Sequence, residues 1–120
     1  MLITLSRIVF YIGLFAVITL SVIPQGTVPD PGISDKFAHL LAYAALALAG
    51  GIACRGSRLV IILAAGLLLL GIGLEFVQAF IPGRSASGYD GLANAFGIAL
   101  GSAAAISTST IMNRRRRILG

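Results

Sequence analysis

Three short stretches carry most of the residues that could do chemistry. In "DKFAHLLAYAAL", Lys36, His39 and Tyr43 stand at i, i+3 and i+7, which on a helix is one face. In "GLEFVQAFIPGR", Glu75 and Gln78 stand at i, i+3 with Arg84 just beyond, and in "YDGLANAFG", Asp90 and Asn94 stand at i, i+4. An imidazole, two carboxylates, two cations and two amides can bind a polar headgroup, hold a phosphate, or move protons. His39, Glu75 and Asp90 are the candidates for acid/base work; Lys36, His39, Tyr43, Glu75, Gln78, Arg84, Asp90 and Asn94 are the candidates for ligand binding. The chain has one histidine and one cysteine, Cys54. A zinc site would have to use His39, Glu75 and Asp90 together, an oxygen-rich set with low preference for zinc. No metal and no cofactor is expected. No nucleophile stands out beyond Ser85 or Ser87, and there is no Gly-rich phosphate loop.

These residues have to be positioned by membrane elements. Of the 120 residues 58% are hydrophobic and only 11% charged, and the mean hydropathy is +0.99, which excludes an ordinary soluble domain. A span needs about 20 apolar residues, so the chain supplies roughly four and leaves no room for a separate soluble domain. Apolar runs cover 2–23, 36–54, 59–81 and 88–112, followed by a basic tail over 113–120. The breaks "PQGTVPDPGISD", "RGSR" and "PGRSASGYD" are rich in turn formers. Prolines 24, 29 and 31 make the first an extended loop, and the brevity of "RGSR" makes spans two and three an antiparallel hairpin. The runs lack barrel alternation, so the expectation is all-α: a polytopic four-transmembrane-helix bundle forming one domain over 1–120. Gly97 and Gly101, extended by Ala93 and Ala105, form a small-residue stripe for close packing, while Gly66, Gly71 and Gly73 thin span three. Cys54 is read as a small packing residue.

The net charge of +5 does not point to nucleic acid, because four of the nine basic residues are the run Arg114 to Arg117 beside an apolar segment. Arg7, Arg55, Arg58 and that run put seven of the nine on one side of the membrane, with Lys36 and Arg84 on the other. Both termini are therefore expected in the cytoplasm. The first run ends in "SVIPQG", without a signal-peptidase pattern, and reads as a retained helix. Asp30, Asp35, Glu75 and Asp90 all fall in the outer half.

At a rise of about 1.5 Å per residue, His39 lies roughly 6 Å below Asp35, Asn94 roughly 6 Å below Asp90, and Glu75 roughly 9 Å below Ile81. The three sets share a depth, and ionisable groups in a span face the bundle interior. We expect an outer pocket lined by spans two, three and four, with two helix N-termini, Lys36 and Arg84 favouring an anion. Glu75, near a helix C-terminus, needs a cation or a proton, and Lys36, His39 and Arg84 are the available partners. Plainer roles compete: Asp35 or Ser34 as the N-cap of span two, Asp90 as an N-cap or as the acid of a Ser87 capping box, Arg84 as an interfacial anchor.

The ordered pattern Asp35-Lys36-x-x-His39-x-x-x-Tyr43, Glu75-x-x-Gln78-x-x-x-Pro82-x-Arg84, Asp90-x-x-x-Asn94-x-x-Gly97-x-x-x-Gly101 resembles the VanZ-like family of small bacterial membrane proteins. The resemblance spans roughly residues 35 to 101. It implies a compact domain of four or more helices in the bacterial cytoplasmic membrane and a role in tolerance to teicoplanin, a glycopeptide antibiotic. The family brings no established catalytic reaction. The first functional expectation is a non-enzymatic protein that binds or modulates an anionic envelope lipid or lipid-linked cell-wall precursor. An enzyme acting on a lipid phosphate is the alternative, and a structural subunit or small proton-coupled transporter is a further one. The expected partners are membrane lipids, with no nucleic acid; homo-oligomerisation is left open.

Overall fold

The computed structural model describes residues 1–27, 32–54 and 56–119, the side chains of Arg116 and Leu119 excepted. Pro29, Asp30, Pro31 and Arg55, used above for the loop and the orientation, lie outside the described residues. The described residues form four helices, α1 (Leu2–Val22), α2 (Asp35–Ala53), α3 (Ser57–Gln78) and α4 (Gly88–Leu119). All four are long and apolar enough to cross a membrane. The fold is the expected all-α bundle, about 57 Å long and 23 by 20 Å across, of a multi-pass membrane protein.

Local chemistry sets the helix ends. Ser34 Oγ accepts the Phe37 N–H at 3.3 Å, so Ser34 is the N-cap of α2, and Asp35 adds its charge to the positive end of the dipole. α3 stops at Gln78, earlier than the expected Ile81. Phe80 and Ile81 donate to the carbonyls of Val77 and Gln78 at 3.0 and 3.1 Å in tight turns. Pro82 then disfavours a helical Ile81, and Gly83 takes φ +77°, which turns the chain. At the start of α4 the Ser87 carbonyl accepts from the N–H groups of Asp90 and Gly91 at 2.9 and 3.3 Å. Ser87 thus holds the cap position and Asp90 belongs to the first turn.

α4 does not end at residue 112. It runs through the arginines to Leu119, because no Gly or Pro interrupts 113–119, arginine is a good helix former, and cations suit a helix C-terminus. The hydroxyls of Ser107, Thr108, Ser109 and Thr110 bond back to the carbonyls of the preceding turn at 2.8 to 2.9 Å, which satisfies them within the helix. At about 48 Å, α4 is longer than the ~30 Å hydrocarbon core, so its basic end stands clear of the apolar slab.

α2 is the central helix, packed along α4 and flanked by α1 and α3. Gly97 and Gly101 lie so close to α2 that a Cβ on either would run into the carbonyl oxygen of Leu40 or Ala44. The small-residue stripe therefore brings backbone against backbone. Tyr43, Leu46, Ala47, Leu67 and Ile98 form the core beside it. On α3 only Gly71 makes a close approach, to Tyr43 and Asn94; Gly66 and Gly73, also expected to thin the helix for packing, face open space. α1 exposes Tyr11, Ile12 and Phe15, a surface suited to lipid. The start of α1, the α2–α3 turn and the end of α4 gather at one end of the bundle, with Arg7, Arg58 and the terminal arginines. Near this end Cys54 is half-buried, with its thiol free.

Candidate ligand site

The polar groups of α2, α3 and α4 meet at the end opposite the termini. His39 Nδ1 lies 2.9 Å from Asn94 Oδ1. With an amide oxygen as the acceptor, Nδ1 carries the proton and Nε2 is left for another partner. Asn94 is 2% exposed, and the glycine at 71 makes room for both Asn94 and the Tyr43 hydroxyl. The tight α2–α4 seam is what sets this pair in register.

Glu75 reaches across to the start of α4. Its Oε2 accepts the Ser87 N–H at 3.1 Å. In a capping box that donor would be taken by the carboxylate three residues on, here Asp90. A carboxylate from the neighbouring helix does the job instead, and Asp90 is left to line the cavity described below. His39, Glu75 and Asp90, all half-buried, each place a ligand atom within 4.8 Å of the others. Of the three partners expected for Glu75, it is the imidazole of His39 that stands beside it.

Arg84 is engaged elsewhere. Its Nε donates to the Ile23 carbonyl at 3.1 Å and its Nη2 to the Leu20 carbonyl at 2.6 Å. It closes the C-terminal end of α1, where carbonyls lack intrahelical donors and a positive charge meets the negative end of the dipole. Gln78, 3% exposed, donates from Nε2 to the Ser21 carbonyl at 3.2 Å. It lines the cavity and ties α3 to α1. Lys36 is exposed and does not line the cavity. Lys36, His39 and Tyr43 span about 60° of helical arc, and the cavity meets the His39 edge, with Asp35 lining it in place of Lys36.

A cavity of about 890 Å³ opens here between the end of α1, the start of α2 and the 84–90 segment. Val17 and Leu20 of α1 with Ala38 and Ala42 of α2 form an apolar wall; Asp35, His39, Tyr43, Arg84 and Asp90 provide polar groups. Glu75 and Asn94 are not among its lining residues and stand behind His39 and Asp90.

No protein-family model, curated protein or solved structure matches the chain.

The VanZ-like resemblance thus rests on the ordered polar pattern alone. Two parts of the site escaped the sequence reading. One is the share of α1, which supplies a wall and three acceptor carbonyls, at Leu20, Ser21 and Ile23. Carbonyls carry no sequence signal, although Ser21, one of two buried serines in α1, marks the place. The other is the Ser87 N–H, a donor that depends on where the helix starts and not on residue type.

Proposed function

We propose that the protein binds the headgroup of an anionic membrane lipid, or of a lipid-linked cell-wall precursor, in the cavity between α1 and α2. The observation that carries this reading is the mixed lining: an apolar wall of Val17, Leu20, Ala38 and Ala42 faces polar groups at His39, Arg84 and Asp90 across about 890 Å³. Such a volume suits a small ligand, and the split lining suits an amphiphile. Arg84 gives two of its N–H donors to α1, and a guanidinium has five, so others remain for a phosphate. The N-terminal turn of α2 adds free N–H groups and a positive dipole end beside Ser34 and Asp35. His39 and Asp90 then suit the hydroxyl, amide or amine groups of the headgroup. In keeping with the VanZ-like resemblance, we place the protein in the bacterial cytoplasmic membrane with both termini and the basic end inside, the cavity facing outward, and tolerance to teicoplanin as the phenotype.

Lipid mass spectrometry of the purified protein tests this. An anionic lipid should co-purify, and Ala42→Phe, which fills the cavity from its apolar side, should remove it. An identical lipid profile in the two proteins would sink the reading. In cells, loss of teicoplanin tolerance on deletion should be restored by the wild type and not by Ala42→Phe.

The convergence of His39, Glu75 and Asp90 favours a second reading, acid/base hydrolysis of a lipid phosphate with water as nucleophile. Its signature is product released from a radiolabelled polyprenyl pyrophosphate by wild type and not by Asp90→Asn, with lipid binding retained in both. Equal turnover in the two proteins refutes it.

A further inference from the structure

We propose that His39, Glu75 and Asp90 form a divalent-cation site, with Mn²⁺ the best-matched ion. One residue comes from each of α2, α3 and α4, and their ligand atoms lie within 4.8 Å of one another. An ion with ligands at about 2.1 Å holds neighbouring ligand atoms about 3 Å apart and opposite ones about 4.2 Å apart. Side-chain movements of the order of 1 Å close the triad onto one ion.

Three features of the surroundings point to a cation. Two half-buried carboxylates stand close together in this cluster, which favours a positive charge between them. The nearby basic side chains do not provide it: Arg84 is bonded to the carbonyls of α1, and Lys36 is exposed and off the cavity. His39 is held as a ligand would be, because the Nδ1 bond to the buried Asn94 orients the ring and leaves Nε2 available. Glu75 likewise keeps one oxygen anchored by the Ser87 N–H and has the other to offer. Zinc is a poor match to one nitrogen and two carboxylates. Mn²⁺ accepts both carboxylate and imidazole and fills its shell with water or phosphate oxygen. His39 and Asp90 line the cavity, so the open positions of such an ion face it. That a headgroup phosphate occupies them rests on the lipid reading above.

The test uses the full chain purified in lipid nanodiscs and titrated with Mn²⁺ alone, with free Mn²⁺ followed by electron paramagnetic resonance. One saturable site per chain is expected. Asp90→Asn and Glu75→Gln should each weaken it by about tenfold or more, while Lys36→Ala leaves it unchanged. Both carboxylate variants keep side-chain shape, and in Glu75→Gln the amide oxygen can still accept the Ser87 N–H, so thermal unfolding should match the wild type. A nitrogen coupling on the bound Mn²⁺, absent in His39→Ala, identifies the imidazole. Absence of saturable binding, or equal binding by wild type, Asp90→Asn and Glu75→Gln, overturns the site. Measuring co-purifying lipid in the same samples separates the two readings. Mn²⁺ bound with no anionic lipid refutes the lipid reading and supports the cation site; anionic lipid retained by a protein that binds no Mn²⁺ does the reverse.

Discussion

Along the α2–α4 seam two backbones touch through Gly97 and Gly101, whereas α1 is joined at the cavity end by side chains that reach across to its carbonyls from Gln78 and Arg84. The seam needs residues that are absent in bulk; the α1 attachment needs residues that are long and polar. The first leaves no space and fixes His39 against Asn94. The second holds two helices together while keeping them apart, and the cavity occupies the difference. In lipid, where apolar association has no hydrophobic drive, close packing and hydrogen bonds are the two available ways to join helices. This protein combines them along the α2–α4 seam and relies on hydrogen bonds where Gln78 and Arg84 meet α1.

Substitution in the seam is the strongest way to break that contrast. Gly101→Ala puts a methyl group against the Ala44 carbonyl, and neither backbone can turn aside as a side chain would. We expect a loss of about 3 kcal/mol in reversible unfolding in mixed micelles. Wild-type stability would mean that the seam is not backbone against backbone. Asn94→Leu comes next: it removes the partner of a half-buried His39 and should cost about 2 kcal/mol, with the His39 ring signals broadened in NMR. Arg84→Met should cost only about 1 kcal/mol, since its bonds lie partly in the open. Its clearer readout is amide exchange, faster in the last turn of α1 and unchanged in the seam; Arg84→Lys should recover only part, lacking the forked donor geometry. The smallest effect sharpens the comparison from the other side. Gly66→Ala and Gly73→Ala meet open space and should stabilise α3 by less than about 1 kcal/mol through helix propensity. A loss at either position would place a second close seam on α3.

Legibility follows the same division. The four spans and their ends within a few residues came from apolar runs and turn formers, which act locally. The α3 end was misplaced because Phe80 and Ile81 are as apolar as the helix before them, and only Pro82 and Gly83 show that the backbone has turned. The α4 end was misplaced in the other direction, because charge signals the edge of the membrane and not the end of a helix. In the site, His39, Tyr43, Asp90 and Asn94 fall together as their spacing and depth require. Lys36 does not line the cavity as expected, and Gln78, which does, spends its amide on α1. The first sits at the far edge of a 60° arc, and the second meets a carbonyl of a helix that spacing alone could not bring near.

What the amino-acid sequence determined by itself is the number of spans, the small-residue stripe on α4 and the shared depth of the polar groups, since apolar length, residue volume and helical rise are local properties. The tertiary structure decided which helix meets which stripe, and so which polar groups pair. Glu75 takes the cap donor that Asp90 would otherwise hold, Arg84 closes α1 instead of answering Glu75, and α1 stands off to leave a cavity. Those outcomes depend on backbone N–H and C=O groups, which every residue but proline carries alike and which acquire a partner only when helices are set side by side.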